Sequence, residues 1–247
     1  MNGVAFTERA AFFRPHETLV VADLHLGRDE SSAVSFPLGE REELTDRIES
    51  LFTRFNPATL VVAGDVVHTF SEVSERSRET LAALRETCAL RDVALELVAG
   101  NHDTALESAW DGPLREAVVL EEPTDGGQRP DGGAGNDPLR TVVCHGHEPP
   151  SITADRYVIG HVHPTLEIEG DRRPCFLHGE GAYRGADLLV LPAFTRLAPG
   201  VAVNDMRTDA FGSPLITDAD RLAPIVFDPA QRESLRFPPL GAFRRLL

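Results

Sequence analysis

Five short apolar runs punctuate the chain, and each breaks off into Asp, Asn or His. Leu19-Val20-Val21-Ala22 leads into Asp23-Leu24-His25. Leu60-Val61-Val62-Ala63 leads into Gly64-Asp65, with His68 three residues on. Leu95-Glu96-Leu97-Val98-Ala99 leads into Gly100-Asn101-His102-Asp103. Thr141-Val142-Val143-Cys144 leads into His145-Gly146-His147, and Tyr157-Val158-Ile159 into Gly160-His161-Val162-His163. Apolar runs of this length are expected of strands covered on both faces. A carboxylate at the end of such a run, if buried, must be paired or hold a metal. Open α/β sheets place ligands at the carboxyl ends of their strands, so five such ends can converge on one site.

Between the first and third runs the pattern turns helical. Glu40 to Phe55 carries Leu44, Ile48, Leu51, Phe52 and Phe55 as a stripe on an acidic background. Pro37 and Gly39 precede this stretch and Pro57 closes it. Ser71 to Leu90 predicts a second helix that buries Val73, Leu81, Leu84 and Leu90. A short helix around Trp110 is predicted within 105–116. The order strand, helix, strand, helix, strand implies βαβ units and a partly parallel sheet. Val4 to Arg14 predicts one or two short strands feeding the first run. Residues 121–138, rich in Gly, Pro and Asp and without aromatics, predict a solvated, flexible loop, with substrate gating as the alternative. From Arg140 onward, strands over 140–144, 156–160, 165–169, 174–178 and 187–191 predict a second, more antiparallel sheet with few helices, followed by Pro224–Phe227. Leu191 to Gly200 either lines the site or packs as a core turn. No second core separates Asp23 from His163, so residues 1–247 read as a single α/β domain.

Charge changes the picture. The formal net charge is −15, lysine is absent, and all 24 basic residues are arginine. Such a surface repels polyanions at low salt. It suits a salty cytoplasm, a haloarchaeal habit, where screening shortens to about 3 Å near 1 M salt; GC-rich coding is the alternative source of the arginines. Cys88, Cys144 and Cys175 fit neither a disulfide framework nor a CxxC site, so they read as reduced core thiols of a cytoplasmic protein. No run of about 18 apolar residues predicts a membrane span, and the opening residues lack a secretory pattern.

Asp23, His25, Asp65, Asn101, His145, His161 and His163 are seven oxygen and imidazole donors. Two divalent ions are satisfied by such a set if one carboxylate bridges them and water completes the shells. Histidine and aspartate without thiolate point to Mn²⁺, with Fe or Zn²⁺ as alternatives. Paired ions about 3.5–4 Å apart serve in-line displacement at phosphorus. Asp23 and His25, like His161 and His163, are i, i+2 pairs that point the same way on a strand end. Gly64, Gly100 and Gly160 precede ligands and allow close backbone approach. Asp103 and His147 read as supports behind the ligands. Arg28 reads as a substrate-phosphate contact or a surface ion pair. His16 and His178 lie outside the motifs and read as structural or surface residues.

In their order DLH, GDVVH, GNHD, HGH and GHVH, the motifs over roughly residues 18–165 resemble those of the calcineurin-like metallophosphoesterase superfamily. The resemblance implies a four-layer α/β/β/α sandwich of two mixed sheets flanked by helices. It implies that Asp23, His25, Asp65 and His163 hold one ion and Asp65, Asn101, His145 and His161 the other, with Asp65 bridging. His102 would be the acid or a phosphate contact, and His68 would orient or charge it. The implied chemistry is hydrolysis in which water made acidic by the ions attacks phosphorus in line. His68 in place of the protein phosphatases' Asp-Arg-Gly element, the DLHLG opening, and LPAF followed by GVAVN resemble the archaeal SbcD-related and DNA-ligase-associated branch. That likeness implies a phosphodiesterase or nuclease acting on DNA or a nucleotide in DNA repair, with a helicase or ligase as partner. The absence of a DNA-capping domain after the metal core weighs against processive exonuclease action. A phosphomonoesterase on a small metabolite and a non-catalytic protein-binding scaffold are the competing readings.

Overall fold

The computed structural model describes residues 1, 3–28, 39–68, 72–122 and 138–245. Of the loop expected over 121–138, residues 123–137 lie outside the described residues, as do Pro37 and Ser71.

The first half builds one six-stranded sheet. Its strands are β1 (Val4–Phe6), β2 (Ala11–Phe13), β3 (Thr18–Val21), β4 (Thr59–Ala63), β5 (Ala94–Val98) and β6 (Leu114–Arg115), in that spatial order. The β1–β2 and β2–β3 pairs are antiparallel, and β3 through β6 run parallel. Helices α1 (Glu40–Phe55) and α2 (Glu75–Ala89) are the crossovers. Ser74 caps α2, its Oγ accepting from Ser77 N–H at 3.0 Å. The predicted second helix therefore starts later than Ser71, and Leu90 sits past its last turn, 75% exposed instead of buried. Around Trp110 there is a 3₁₀ segment, Asp103–Ser108, followed by β6, where a helix was expected.

The second sheet is mixed. It comprises β7 (Ala117–Glu122), β8 (Leu139–Cys144), β9 (Arg156–Ile159), β10 (Pro164–Ile168), β11 (Asp171–Tyr183), β12 (Ala186–Val190), β13 (Val201–Ala202), β14 (Ala223–Asp228) and β15 (Glu233–Arg236). Its path is β13-β10-β11-β12-β9-β8-β7, with β14 added beside β11 and β15 beside β14. Strands β8, β9 and β12 are parallel, and most other pairs are antiparallel. β11 is far longer than the predicted 174–178, because it pairs with β10 along its first half and with β12 and β14 further on.

The apolar runs are continuous because both faces of their strands are covered. Val20, Ala22, Val61 and Ala63 face the second sheet, meeting Val143, Val158, Leu189 and Leu191. The alternate residues Leu19, Val21, Leu60 and Val62 face Leu44, Ile48 and Phe52 of α1 and Leu81 and Leu84 of α2. On the far side of the second sheet, Tyr157, Ile159, Leu188 and Val190 are covered by Phe211, Leu215, Ile216 and Leu240. The four layers expected of the sandwich are present, but the fourth is thin. Two 3₁₀ turns, Thr208–Phe211 and Ala219–Arg221, and the short α3 (Leu240–Phe243) cover that face. Cys88, Cys144 and Cys175 are buried free thiols. Among the described residues no helix is long and apolar enough to cross a membrane.

Candidate metal centre

Strands β3, β4, β5, β8 and β9 run the same way within their sheets, and their carboxyl ends meet at one rim. The loops beyond them are stitched together. Asp23 N–H donates to Gly64 O at 3.1 Å, His25 N–H to Asp65 O at 2.9 Å, and His68 N–H to Leu26 O at 3.0 Å. From the second sheet, His161 N–H donates to both Asp23 oxygens, at 3.1 and 3.0 Å. This last contact ties the rims of the two sheets to one carboxylate.

The backbone there is unusual in a way that periodicity does not show. Asp23, His25, Asp65, His161 and His163 all have positive φ, between 47° and 67°. Each such non-glycine residue costs about 1–3 kcal/mol and persists where the surroundings enforce it. Both i, i+2 pairs begin after their strands have ended, at Val21 and Ile159. Their common direction therefore comes from alternating left-handed residues and not from strand pleating. The two pairs also behave differently. Asp23 and His25 serve one cluster, whereas His161 and His163 divide between two.

The first cluster is Asp23, His25 and His163. His163 Nε2 lies 3.4 Å from Asp23 Oδ1 and 3.2 Å from His25 Nε2. The second is Asp65, His145 and His161. His145 Nδ1–H donates to Ala63 O at 3.3 Å, which leaves the Nε2 lone pair facing inward. That Nε2 lies 3.0 Å from Asn101 Oδ1, 3.4 Å from Asp65 Oδ1 and 3.2 Å from His161 Nδ1. Acceptors turned on one another at such distances are relieved by a cation between them. The other oxygen of Asp65, Oδ2, lies 3.9 Å from His25 Nε2 in the first cluster. One carboxylate thus faces both clusters.

Electrostatics points the same way. Burial, then the neighbouring Asp23 charge, pushes the Asp65 carboxyl up to about 7. Burial holds His25 down to about 3 and His145 to about 4, so both imidazoles are neutral at pH 7, the form that ligates metal. Burial alone would raise Asp23, but His163, His145 and His25 together bring it below the usual carboxylate range. Burial, the largest influence, would lower His163, but the Asp23 charge, its hydrogen bond to Asp23 and the Asp65 charge together raise it. Two buried carboxylates among histidines fit divalent ions, and the donor set lacks the thiolates of a structural zinc site.

His102 stands at the edge of this group. Its N–H donates to Asp65 Oδ1 at 3.0 Å, and its Nδ1 lies 3.0 Å from the His68 carbonyl oxygen, to which Nδ1–H donates. Nε2 is thereby turned toward Asp65, 3.9 Å from Oδ2. Of His68, expected to orient or charge His102, it is the carbonyl that meets the His102 ring, while the two rings stack at 6.0 Å. The ring atoms of His25, His68 and His102 also form a third grouping of possible ligand atoms. The His147 ring packs 5.0 Å from that of His145. Arg28 is half-buried, and its charge lowers His68, after burial, and acts on His163 as well. His178 is buried in β11 and His16 lies 3.4 Å from Glu122, both away from the clusters.

Asp103 is the support that holds two loops in register. Its carboxylate accepts from Val66 N–H at 3.2 Å, Val67 N–H at 3.0 Å and Gly100 N–H at 2.8 Å. Burial pushes it up, and these three bonds oppose the rise. Each N–H orphaned in a buried setting costs about 1–3 kcal/mol. With water refilling part of the gap, Asp103→Ala should lower unfolding free energy by about 3 kcal/mol, read as a shift of the urea midpoint. An unchanged midpoint would remove Asp103 from this role.

Close approach is needed at Gly100. A Cβ there would stand 2.2 Å from both Asp65 N and Asp65 Oδ1. Gly100→Ala must push Asp65 aside. Displacing an oriented ligand typically costs about 10–100-fold in metal affinity, so a Mn²⁺ titration of the variant should show a weakened site, and wild-type affinity would refute the packing argument.

Leu191 to Gly200 is mostly buried and forms a floor under the first ligand loop. Phe194 N–H donates to Ala22 O at 2.7 Å and Thr195 N–H to Asp23 O at 3.4 Å. The alternative in which this segment packs as core is the one observed.

Residues 16–192 match the family described as calcineurin-like phosphoesterase. The structure is similar to the crystal structure of Pseudomonas putida nuclease MPE, at 23% identity and a TM-score of 0.54, over 89% of this chain and 88% of that one. It also matches Yfce, a phosphoesterase from E. coli, at 15% identity and a TM-score of 0.42, over 90% of this chain and 98% of that one. No curated protein matches.

Proposed function

We propose, for a chain that belongs to the calcineurin-like phosphoesterase family, a phosphodiesterase whose substrate is nucleic acid or a nucleotide. Membership makes it a metal-dependent hydrolase of phosphate esters, and the diester preference is our reading of this site. The observation that carries it is the placement of Asp65, one carboxylate oxygen toward each of two Asp/His clusters. Asp23, His25 and His163 would hold one divalent ion, and Asn101, His145 and His161 the other, with Asp65 shared. Such a pair supplies a nucleophile at neutral pH and offsets charge on the phosphoryl oxygens. His102, oriented by the His68 carbonyl, would protonate the leaving oxygen, a task suited to imidazole near neutrality. Arg28 would contact a phosphate oxygen.

The name of the Pseudomonas putida neighbour, a nuclease, puts nucleic acid first on a substrate panel; the likeness itself, at this identity, carries the fold. The DLHLG and LPAF segments support placing the chain beside the SbcD-related and ligase-associated enzymes, with a helicase or ligase partner in DNA repair. A charge of −15 disfavours polyanions at low salt, so we read the enzyme as one that works in high salt.

The test is a comparison of bis- and mono-p-nitrophenyl phosphate with Mn²⁺, Fe²⁺ or Zn²⁺, followed by single- and double-stranded DNA and RNA at several KCl concentrations. Two metal equivalents and faster diester turnover are expected. Faster monoester turnover would favour a phosphatase, and a metal-replete sample inert toward every ester would favour the scaffold reading.

A further inference from the structure

Away from the metal clusters, a cleft of about 720 Å³ opens between α1, the β1–β2 turn and the 193–195 floor. Four arginines line it, Arg9, Arg47, Arg54 and Arg232, against one carboxylate, Glu8. In a chain with 39 acidic and 24 basic residues this is a local reversal of sign.

The carboxylates near the cleft are already engaged. Glu8 and Glu43 both pair with Arg196, at 3.2 and 3.3 Å, and Glu43 also holds Arg47 at 3.1 Å. Among the described residues Arg9 donates to the carbonyls of Ala193 and Thr195, at 2.6 and 2.9 Å. Arg54 donates to the Thr7 hydroxyl at 3.2 Å, and its guanidinium lies over the rings of Phe55 and Phe227. Among the described residues Arg9, Arg54 and Arg232 therefore face one cleft with no ion pair within 4 Å, Glu8 and Glu43 acting on Arg9 from further off. Burial first, and then Arg47, weakens Arg9's hold on its proton, down to about 10. Arg54 is lowered too, by burial and then Arg232. Glu8 and Glu43 offset part of this crowding at Arg9, and a bound anion would offset more. Guanidinium forks match phosphate oxygens two at a time, and the wall adds the hydroxyls of Ser50 and Thr53.

The cleft adjoins the metal centre through its floor. Arg9 holds Thr195 O, and Thr195 N–H holds Asp23 O. A single hydrogen-bonded segment separates the arginines from a ligand residue.

We propose that this cleft binds phosphate groups, supplied either by a nucleic-acid strand engaged at the metal centre or by free inorganic phosphate. The strand source rests on the nuclease reading above; the free-phosphate source does not. Binding is measured on metal-free protein in EDTA, so no metal ion holds the anion. The probes are a fluorescent single-stranded oligonucleotide and inorganic phosphate. Arg54→Glu/Arg232→Glu should weaken the affected probe about tenfold or more. Arg172→Glu/Arg173→Glu, an equal charge change on exposed β11 residues, should leave both affinities where they were. Loss for the oligonucleotide identifies a strand site, and loss for phosphate alone a free-anion site. Equal effects of the two double variants, or no effect of the first, would overturn the proposal. Failure of the hydrolase reading would show separately, as a metal-loaded wild type that turns over no ester.

Discussion

Replacing Asp65 with Asn should lower Mn²⁺-dependent hydrolysis of bis-p-nitrophenyl phosphate by about a thousandfold or more. The estimate follows from the several kcal/mol supplied by paired metals, at 1.36 kcal/mol per tenfold. Asp65 places Oδ1 3.4 Å from His145 Nε2 and Oδ2 3.9 Å from His25 Nε2. An amide keeps the shape but presents one oxygen and no charge. Bound metal, read by elemental analysis, should fall from two equivalents to one. Stability provides an independent check. The folded-state pKa of Asp65, about 7 against 3.8 for an unburied aspartate, is raised. Its contribution is present below the unfolded value and is lost as pH rises through about 7. At pH 8 the metal-free wild type therefore carries the cost of a buried carboxylate that Asn lacks. Metal-free Asp65→Asn should melt no lower than wild type at pH 8, while Mn²⁺ should stabilise it less. Full activity with two bound ions would end the bridging assignment.

The second large effect is expected at His102, and it depends on the leaving group. Loss of a positioned acid costs about 10²–10⁴-fold. An oligonucleotide departs as an alkoxide and needs the proton. A p-nitrophenolate leaves readily without it. His102→Ala should therefore depress oligonucleotide cleavage within that range and bis-p-nitrophenyl phosphate turnover much less, with two ions still bound. Equal losses on both substrates would instead make His102 a phosphate contact. Because the ring is oriented by a carbonyl, His68→Ala should preserve the Nδ1–H bond and fall far short of the His102 effect. A matching loss would mean that the His68 ring itself takes part.

Much of this was legible in the chain because burial leaves a local imprint. A strand covered on both faces must be apolar at every position, and a carboxylate or imidazole at its end then stands out. Leu19 to Ala22 and Leu60 to Ala63 carry that imprint, and so does the stripe Leu44, Ile48 and Phe52 of α1. Where an expectation missed, a longer-range partner or a chain end intervened. Leu90 lies beyond the end of its helix. β11 extends to Tyr183 because three neighbouring strands pair along it. The fourth layer is mostly 3₁₀ turns, whose apolar residues carry no helical period.

By itself, the sequence determined the order of strands and helices, the ends at which polar ligands appear, and the kind of metal chemistry those ligands suit. All three follow from spacing within a few residues. Only the tertiary structure decided that His161 and His163 part company, that five residues of the clusters adopt left-handed backbone, that the His68 carbonyl meets the His102 ring, and that arginines distant in sequence share one cleft. Those features depend on how two sheets face each other. That register is set by interdigitating side chains from both halves of the chain, which no local window contains.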